Sequence, residues 1–285
     1  MKIGVGLPNP IPGTTGETLV EWARKADELG FSSLATIDRI VYPSYESLVA
    51  LGAAAAVTTR IGLLTNVLLA PTRATALLAK GTASVDRLSG GRLTLGLGVG
   101  GREDDFTAVD KPMRGRGKRF DRQLEEMHEL WAGKTLSDTK QASVPSPGRP
   151  VPILIGGGSD VTPLRVARWG IGYTAGGGPP DSLPPMVERV GKAWADAGRE
   201  GTPKIVALTY YALGPDAEAG AHGYITDYYA MFGDFAKQMA SLVPKSPDAI
   251  RAVARQFEDA GADELILDPT IASLDQLDRL ADAVL

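Results

Sequence analysis

Gly96, Gly98 and Gly101 stand in the stretch SGGRLTLGLGVGGRED (89–104) with the spacing G-x-G-x-x-G. After a β-like run, that spacing suits a turn cradling a dinucleotide pyrophosphate. Its glycines let backbone approach the phosphates, and the third opens a helix whose N-terminus faces them. Two further requirements fail here. The third glycine runs into GREDDFTAVDKPMRGRG, with Pro112 and more glycines, so the next helix is predicted only near Arg119. The acidic residue expected about twenty positions on, at the end of the next strand, is matched only by Asp121 and Glu125 inside that helix. The dinucleotide reading therefore fails, and these glycines serve another purpose.

A second glycine-dense place is IGGGSDVTPL, where Gly156, Gly157, Gly158 and Ser159 stand just before a predicted helix. Backbone N–H groups at a helix N-terminus, with a serine hydroxyl, make an anion site. The other reading is a tight strand-to-helix turn capped by Ser159 or Asp160. The basic run KPMRGRGKR holds Lys111, Arg114, Arg116, Lys118 and Arg119, either as a solvated loop or as a contact to an anionic ligand. Other chemistries find little support. The only histidines, His128 and His222, read as structural or surface residues, and no carboxylate spacing suggests a metal. The GKT at 133–135 has His128 where a phosphate-binding P-loop needs its first glycine, and no G-x-S-x-G is present.

Composition narrows the classes further. The chain has 285 residues, no cysteine and a net charge of −4. That excludes disulfides, thiolate metal sites and a cysteine nucleophile, and it fits a reducing cytoplasm. The charge gives no general pull toward nucleic acid or an anionic membrane. The N-terminus does not read as a signal peptide, and no apolar run is long enough for a membrane helix.

Strand and helix patterns alternate almost throughout. Strands are predicted at 2–7, 32–38, 60–69, 92–100, 151–157, 171–177, 204–213 and 264–270. Each is followed by helical periodicity: 18–30, 46–58, 74–88, 119–132, 160–169, 183–198, one long region at 217–261, and 273–285. Thr18 with Glu21 and Ser273 with Gln276 read as capping boxes, and Gly30 as a helix stop. Most strands are continuous apolar runs, as in a parallel sheet covered on both faces. Count and order predict a single-domain (β/α)8 barrel over 1–285, with a doubly wound sheet as the rival. The polar stretch 135–150 is read as a long loop, not a linker. The run LVALGAAAAV, from Leu48 to Val57, lacks a polar stripe, so a homodimer contact through this helix is expected, with cover by the chain's own loops as the alternative.

In such a barrel, chemistry belongs at the C-terminal strand ends. Those ends carry Asp38 and Arg39, Thr65 and Asn66, residues 98–103, 156–159 and 174–178, and Asp268. Tyr210, Tyr211, Tyr224, Tyr228, Tyr229, Met231 and Phe232 read either as core or as the wall of an apolar substrate pocket.

The segments TRIGLLTNVLLAPTRATALLAKGTASVDRLSGGRLTLGLGVGGREDDF, GKRFDRQLEEMHELWAG and ILIGGGSDVTPLRVARWGIGYTAGG resemble the bacterial luciferase-like flavin-dependent oxidoreductases. The resemblance covers most of the chain and is strongest from 59 to 133. It implies a TIM barrel, usually dimeric, that binds reduced FMN or the deazaflavin coenzyme F420 in its mouth. It implies a non-prolyl cis peptide at Asn66–Val67, beside Thr65, bulging toward the coenzyme ring. Gly98, Gly100, Gly101, Arg102 and Glu103 would line the ring or tail. Gly156, Gly157, Gly158 and Ser159 would hold the phosphate, and Thr174 and Gly176 would flank the tail. Asp38 and Arg39 take the catalytic positions. Many members have Asp-His there, so Arg39 replaces the usual proton donor with an always-charged group. A short loop after the fourth helix implies an open pocket. The activity implied is oxidation or oxygenation of a small organic substrate with reduced FMN. The alternatives are F420-dependent hydride transfer without oxygen and a flavin-binding protein without turnover.

Overall fold

The structure is a computed structural model that describes residues 1–136, 140–145 and 149–285. Parts of the predicted 135–150 loop therefore lie outside the described residues. Eight parallel strands close into a barrel in chain order: β1 (Lys2–Gly6), β2 (Ser33–Thr36), β3 (Gly62–Leu69), β4 (Leu93–Gly98), β5 (Ile153–Gly156), β6 (Gly172–Thr174), β7 (Lys204–Tyr211) and β8 (Glu264–Pro269). The last strand pairs with the first, Val5 opposite Leu267. The predicted (β/α)8 architecture is thus observed, and the doubly wound alternative falls away.

The outer layer is α1 (Gly16–Leu29), α2 (Ser47–Val57), α3 (Thr75–Leu88), α4 (Glu103–Thr107), α5 (Arg116–Trp131), α6 (Thr162–Trp169), α7 (Pro184–Asp196), α8 (Ala217–Tyr228), α9 (Asp234–Leu242), α10 (Pro247–Asp259) and α11 (Asp275–Val284). In α1 the buried positions Leu19, Trp22, Ala23 and Ala26 form one stripe against the barrel. Gly30 ends that helix with φ +103°.

Strand periodicity sorts the core into two clusters. Leu93, Leu95 and Leu97 of β4 point outward and join the large cluster beneath the helices. Ala35, Leu64, Leu154, Val206, Leu208, Tyr210 and Ile266 form the interior cluster. Gly96 and Gly98, alternating with those leucines, face the barrel interior instead.

Several local expectations need correction. The cap of α1 is Thr15, whose hydroxyl accepts from the Thr18 N–H at 3.1 Å, so Thr18 with Glu21 is not the box. Gln276 does not cap α11; its buried side chain bridges the N–H and C=O of Leu213 at 2.9 and 2.7 Å. The predicted 217–261 region divides into three helices, α8, α9 and α10. Its breaks fall at Gly233 and at the stretch before Pro247, where Ser246 caps α10. Residues 103–107, read as loop, form the short helix α4.

Candidate active site

Asp38, Arg39, Asn66, Val67, Gly101, Arg102 and Gly176 converge at the C-terminal mouth of the barrel, where they line one cavity of about 180 Å³. Ile37, Leu69, Asp105, Gly177, Leu208, Tyr210, Tyr228 and Tyr229 complete its wall. The expected cis peptide is present at Asn66–Val67, and the β3–β4 register shifts between Thr65 and Leu68. This bulge explains the glycines. A Cβ on Gly98 would stand 2.7 Å from Val67 Cγ2, and one on Gly156 would stand 2.9 Å from Val67 Cγ1. A Cβ on Gly96 would collide with the Thr65 carbonyl. These three glycines therefore make room for the bulged strand. Gly101, Gly158 and Gly176, in contrast, face open space.

Asp38 is a buried anchor. Its carboxylate accepts from the Leu69 N–H at 2.8 Å, from Arg73 Nη1 and Nη2 at 2.7 and 2.9 Å, and from the Ser47 hydroxyl at 3.3 Å. It thereby fastens the segment after the bulge to the end of β2. Burial alone would lower the Arg73 pKa, but Asp38 and Glu46 outweigh it and hold the guanidinium above its ordinary value. The sequence reading overlooked Arg73.

Arg39 is likewise engaged. Its Nη2 donates to Asp104 Oδ2 at 2.9 Å and to the Val41 carbonyl at 3.0 Å, and its Nε donates to Asp105 Oδ1 at 3.1 Å. Asp105 Oδ1 also accepts from the Ile40 and Val41 N–H groups, both at 2.9 Å. Arg39 thus ties the β2–α2 loop to α4. Asp104 and Asp105 were missed because α4 was read as loop.

The roof comes from the segment after β7. The Arg102 guanidinium lies 4.8 Å from the Tyr228 ring and 5.5 Å from the Tyr229 ring, and donates to the Tyr228 carbonyl at 2.8 Å. Tyr42 packs edge-on to Tyr228 and donates to Asp227 at 2.5 Å. These contacts form a roof over part of the mouth. Tyr210, Tyr228 and Tyr229 wall the cavity. Tyr211 points outward toward Gln276, and Met231 and Phe232 are exposed.

The remaining site residues sort into three groups. Thr65 is buried and donates to the Gly96 carbonyl at 2.8 Å, while Thr174 donates to Asn66 Oδ1 at 2.5 Å. Gly100 has φ +75° and packs near Phe106, and Glu103 is exposed at the start of α4. Gly157, Gly158 and Ser159 form an exposed rim before α6, with Gly157 at φ +120° and the Ser159 hydroxyl 3.1 Å from that of Thr162. The basic loop turns largely inward. Lys111 donates to the Arg73 carbonyl, Arg116 to that of Gly100, and Arg119 to those of Pro71 and Pro112. His128 Nδ1 donates to the Leu124 carbonyl of its own helix at 2.7 Å, and the ring packs on Trp131 and Trp169.

One further group was left aside in the sequence reading. Asp268, opposite Tyr210 in the β7–β8 register, is 3% exposed, and its Oδ2 has no hydrogen-bond partner. Burial holds its pKa well above the ordinary carboxylate range. Its side chain occupies the space that a Cβ on Gly6 would need.

The lining suits a flat, largely apolar ring system with polar edges. It offers Val67, Leu69 and Leu208 for a ring face, an unpartnered buried Asn66 amide N–H for an edge, and the exposed glycine rim for an anionic tail. The present volume, about 180 Å³, is below the ~300–1,000 Å³ usual for ligand pockets. A whole coenzyme ring needs more room than this cavity offers.

Comparison with known proteins agrees with the barrel fold. An uncharacterised protein of Mycobacterium tuberculosis is 32% identical over 206 residues, spanning 62% of this chain and 71% of the relative. An F420-dependent secondary alcohol dehydrogenase, solved with an F420–acetone adduct, superimposes with TM-score 0.81 at 16% identity, covering 99% of this chain and 98% of its own. The oxygenating constituent of 3,6-diketocamphane monooxygenase from Pseudomonas putida, solved with FMN, gives TM-score 0.73 at 18% identity, covering 99% and 95%. The sequence profile described as luciferase-like monooxygenase matches residues 1–243, and the chain belongs to that family.

Proposed function

We propose that this chain is an oxidoreductase that holds a two-electron flavin coenzyme in the barrel mouth and acts there on a small organic substrate. The observation that carries the reading is the convergence of the Asn66–Val67 bulge, Gly101, Arg102 and Gly176 on one cavity. The bulge would support the ring face, and Gly156, Gly157, Gly158 and Ser159 the phosphate. Gly176 would flank the tail. When bound, such a coenzyme supplies hydride transfer or, in its reduced form, oxygen activation. Reduced FMN is favoured over F420, because Lys111, Arg116 and Arg119 spend donors on backbone carbonyls rather than presenting them all to a longer anionic tail. The protein's own part is positioning. Arg39, held by Asp104 and Asp105, is a fixed charge beside the cavity rather than a proton donor.

Titrating the chain with FMN and with F420 tests the reading. Saturable micromolar binding of one is expected, and binding of neither overturns it. Oxidation of an organic substrate by the loaded chain separates an enzyme from a flavin store.

The same reading makes the working unit a homodimer in the cytoplasm, without nucleic-acid or membrane partners. α2 carries no charged residue, and Val49, Leu77 and Leu88 on α2 and α3 are 68%, 72% and 70% exposed. A second copy, bringing the same uncharged small-residue face, matches it. Sedimentation of the wild type as a dimer and of Val49→Lys as a monomer is expected; a monomeric wild type overturns it. No helix among the described residues is long and apolar enough to cross a membrane.

A further inference from the structure

We propose that Asn66, oriented by Thr174 and assisted by the Tyr210–Tyr229 hydroxyl pair, forms a subsite for a neutral carbonyl oxygen in the mouth cavity. This rests on the reading of the mouth as the reaction site and names the ligand chemistry it takes.

Four observations lead there. First, Asn66 lines the cavity and is 6% exposed, and its Nδ2 has no hydrogen-bond partner. Buried amide donors are rarely left unpaired, because the desolvation cost is not recovered. Second, the amide is held in one orientation. The Thr174 hydroxyl donates to Oδ1 at 2.5 Å, which leaves the N–H groups as the side chain's unspent end. Third, Tyr210 and Tyr229 both line the cavity, and their hydroxyl oxygens are 2.8 Å apart. One hydroxyl donates to the other, so the pair spends one of its two hydrogens and keeps a second to offer. Burial raises both tyrosines above their ordinary pKa, so they stay neutral donors rather than bases. Fourth, the charges in the lining balance. Arg39 and Arg102 against Asp38 and Asp105 sum to zero; Asp105 and Asp104 hold Arg39, Arg73 holds Asp38, and Arg102 is spent on the Tyr228 carbonyl and the Tyr228 and Tyr229 rings.

The rest of the wall, Ile37, Val67, Leu69 and Leu208, is apolar. A small apolar body with one acceptor oxygen therefore fits both chemistry and volume. Two ligands carry that oxygen: a ketone or aldehyde substrate, and the ring carbonyl of the coenzyme.

The test uses the full chain without coenzyme and three probes: cyclohexanone, methylenecyclohexane and cyclohexanecarboxylate. Ligand-observed NMR competition gives affinities, and infrared difference spectra give the stretch of the bound ketone. The wild type should prefer the ketone over both others by about tenfold, the scale of one to two recovered hydrogen bonds, and lower its carbonyl stretch. Asn66→Asp and Thr174→Val should bring the preference within about twofold, while Thr174→Ser should keep it. Thermal unfolding of each variant separates these effects from misfolding. Adding FMN separates the two sources: displacement of the ketone assigns the donor to the coenzyme's carbonyl, and simultaneous binding assigns it to the substrate. Because the ketone arm needs no coenzyme, it succeeds or fails independently of the coenzyme titration. No ketone preference in the wild type, or an undiminished preference in Asn66→Asp, overturns the proposal.

Discussion

The Val67 side chain fills the space that a Cβ on Gly98 would need, 2.7 Å from where that atom would stand. The bulge of β3 and the bare position on β4 are therefore two halves of one packing arrangement. Gly156 on β5 completes it from the other side, at 2.9 Å.

Gly98→Ala should cost about 1–3 kcal/mol, the usual penalty for overpacking a rigid interior. Gly101→Ala, with open space around it, should change stability by less than about 0.5 kcal/mol. Equilibrium denaturation in urea measures both. A Gly98→Ala variant as stable as the wild type would show that Val67 has room to move aside.

The Asp38–Arg73 pair should behave as a buried ion pair, since the side chains are 2% and 15% exposed. Arg73→Met leaves the Asp38 carboxylate uncompensated and should cost roughly 3–5 kcal/mol. Asp38→Asn combined with Arg73→Met should recover part of that loss. A double-mutant cycle reads the coupling; purely additive losses would mean that the two residues act separately.

Asp268 should make the protein less stable as pH rises. Its pKa is raised in the folded state, so the folded chain binds the proton more tightly than the unfolded chain. That contribution is fully present below the unfolded carboxylate value of about 3.9 and is lost as pH climbs through the raised folded value. Asp268→Asn removes the titration, so its stability relative to wild type should improve from acid to neutral pH. Chemical unfolding at a series of pH values tests the sign. A difference between the two that stays constant with pH would rule out a protonated Asp268.

Much of the barrel was legible because most strands are apolar runs and helices such as α1 carry a clear apolar stripe. Gly30 shows that a single local signal can suffice: a glycine after an amphipathic helix does adopt the left-handed conformation that stops it. The cavity's position was also legible, since Asp38 and Arg102 follow strand ends and Asn66 lies in the C-terminal half of β3. The partners of these residues were less visible. Arg39 meets Asp104 and Asp105 across 65 and 66 positions of chain, and no periodicity reports such a contact. Residues 103–107 are too short and too acidic to give a helical stripe, yet the bonds from Arg39, Ile40 and Val41 to Asp105 fix them. The capping assignments at Thr18 and Ser273 failed for a related reason. A hydroxyl three residues before an acid or amide is a local pattern, but Gln276 finds better partners in the Leu213 backbone.

The most direct test of the central claim is a crystal structure of the chain soaked with whichever of FMN or F420 it binds. The ring should lie against Asn66 and Val67 with the Tyr228–Tyr229 roof displaced, and the phosphate should rest on Gly156, Gly157, Gly158 and Ser159. A coenzyme bound elsewhere, for instance in the surface groove between α6 and α7 lined by Leu164, Arg168 and Lys192, would contradict the assignment of the mouth as the active site.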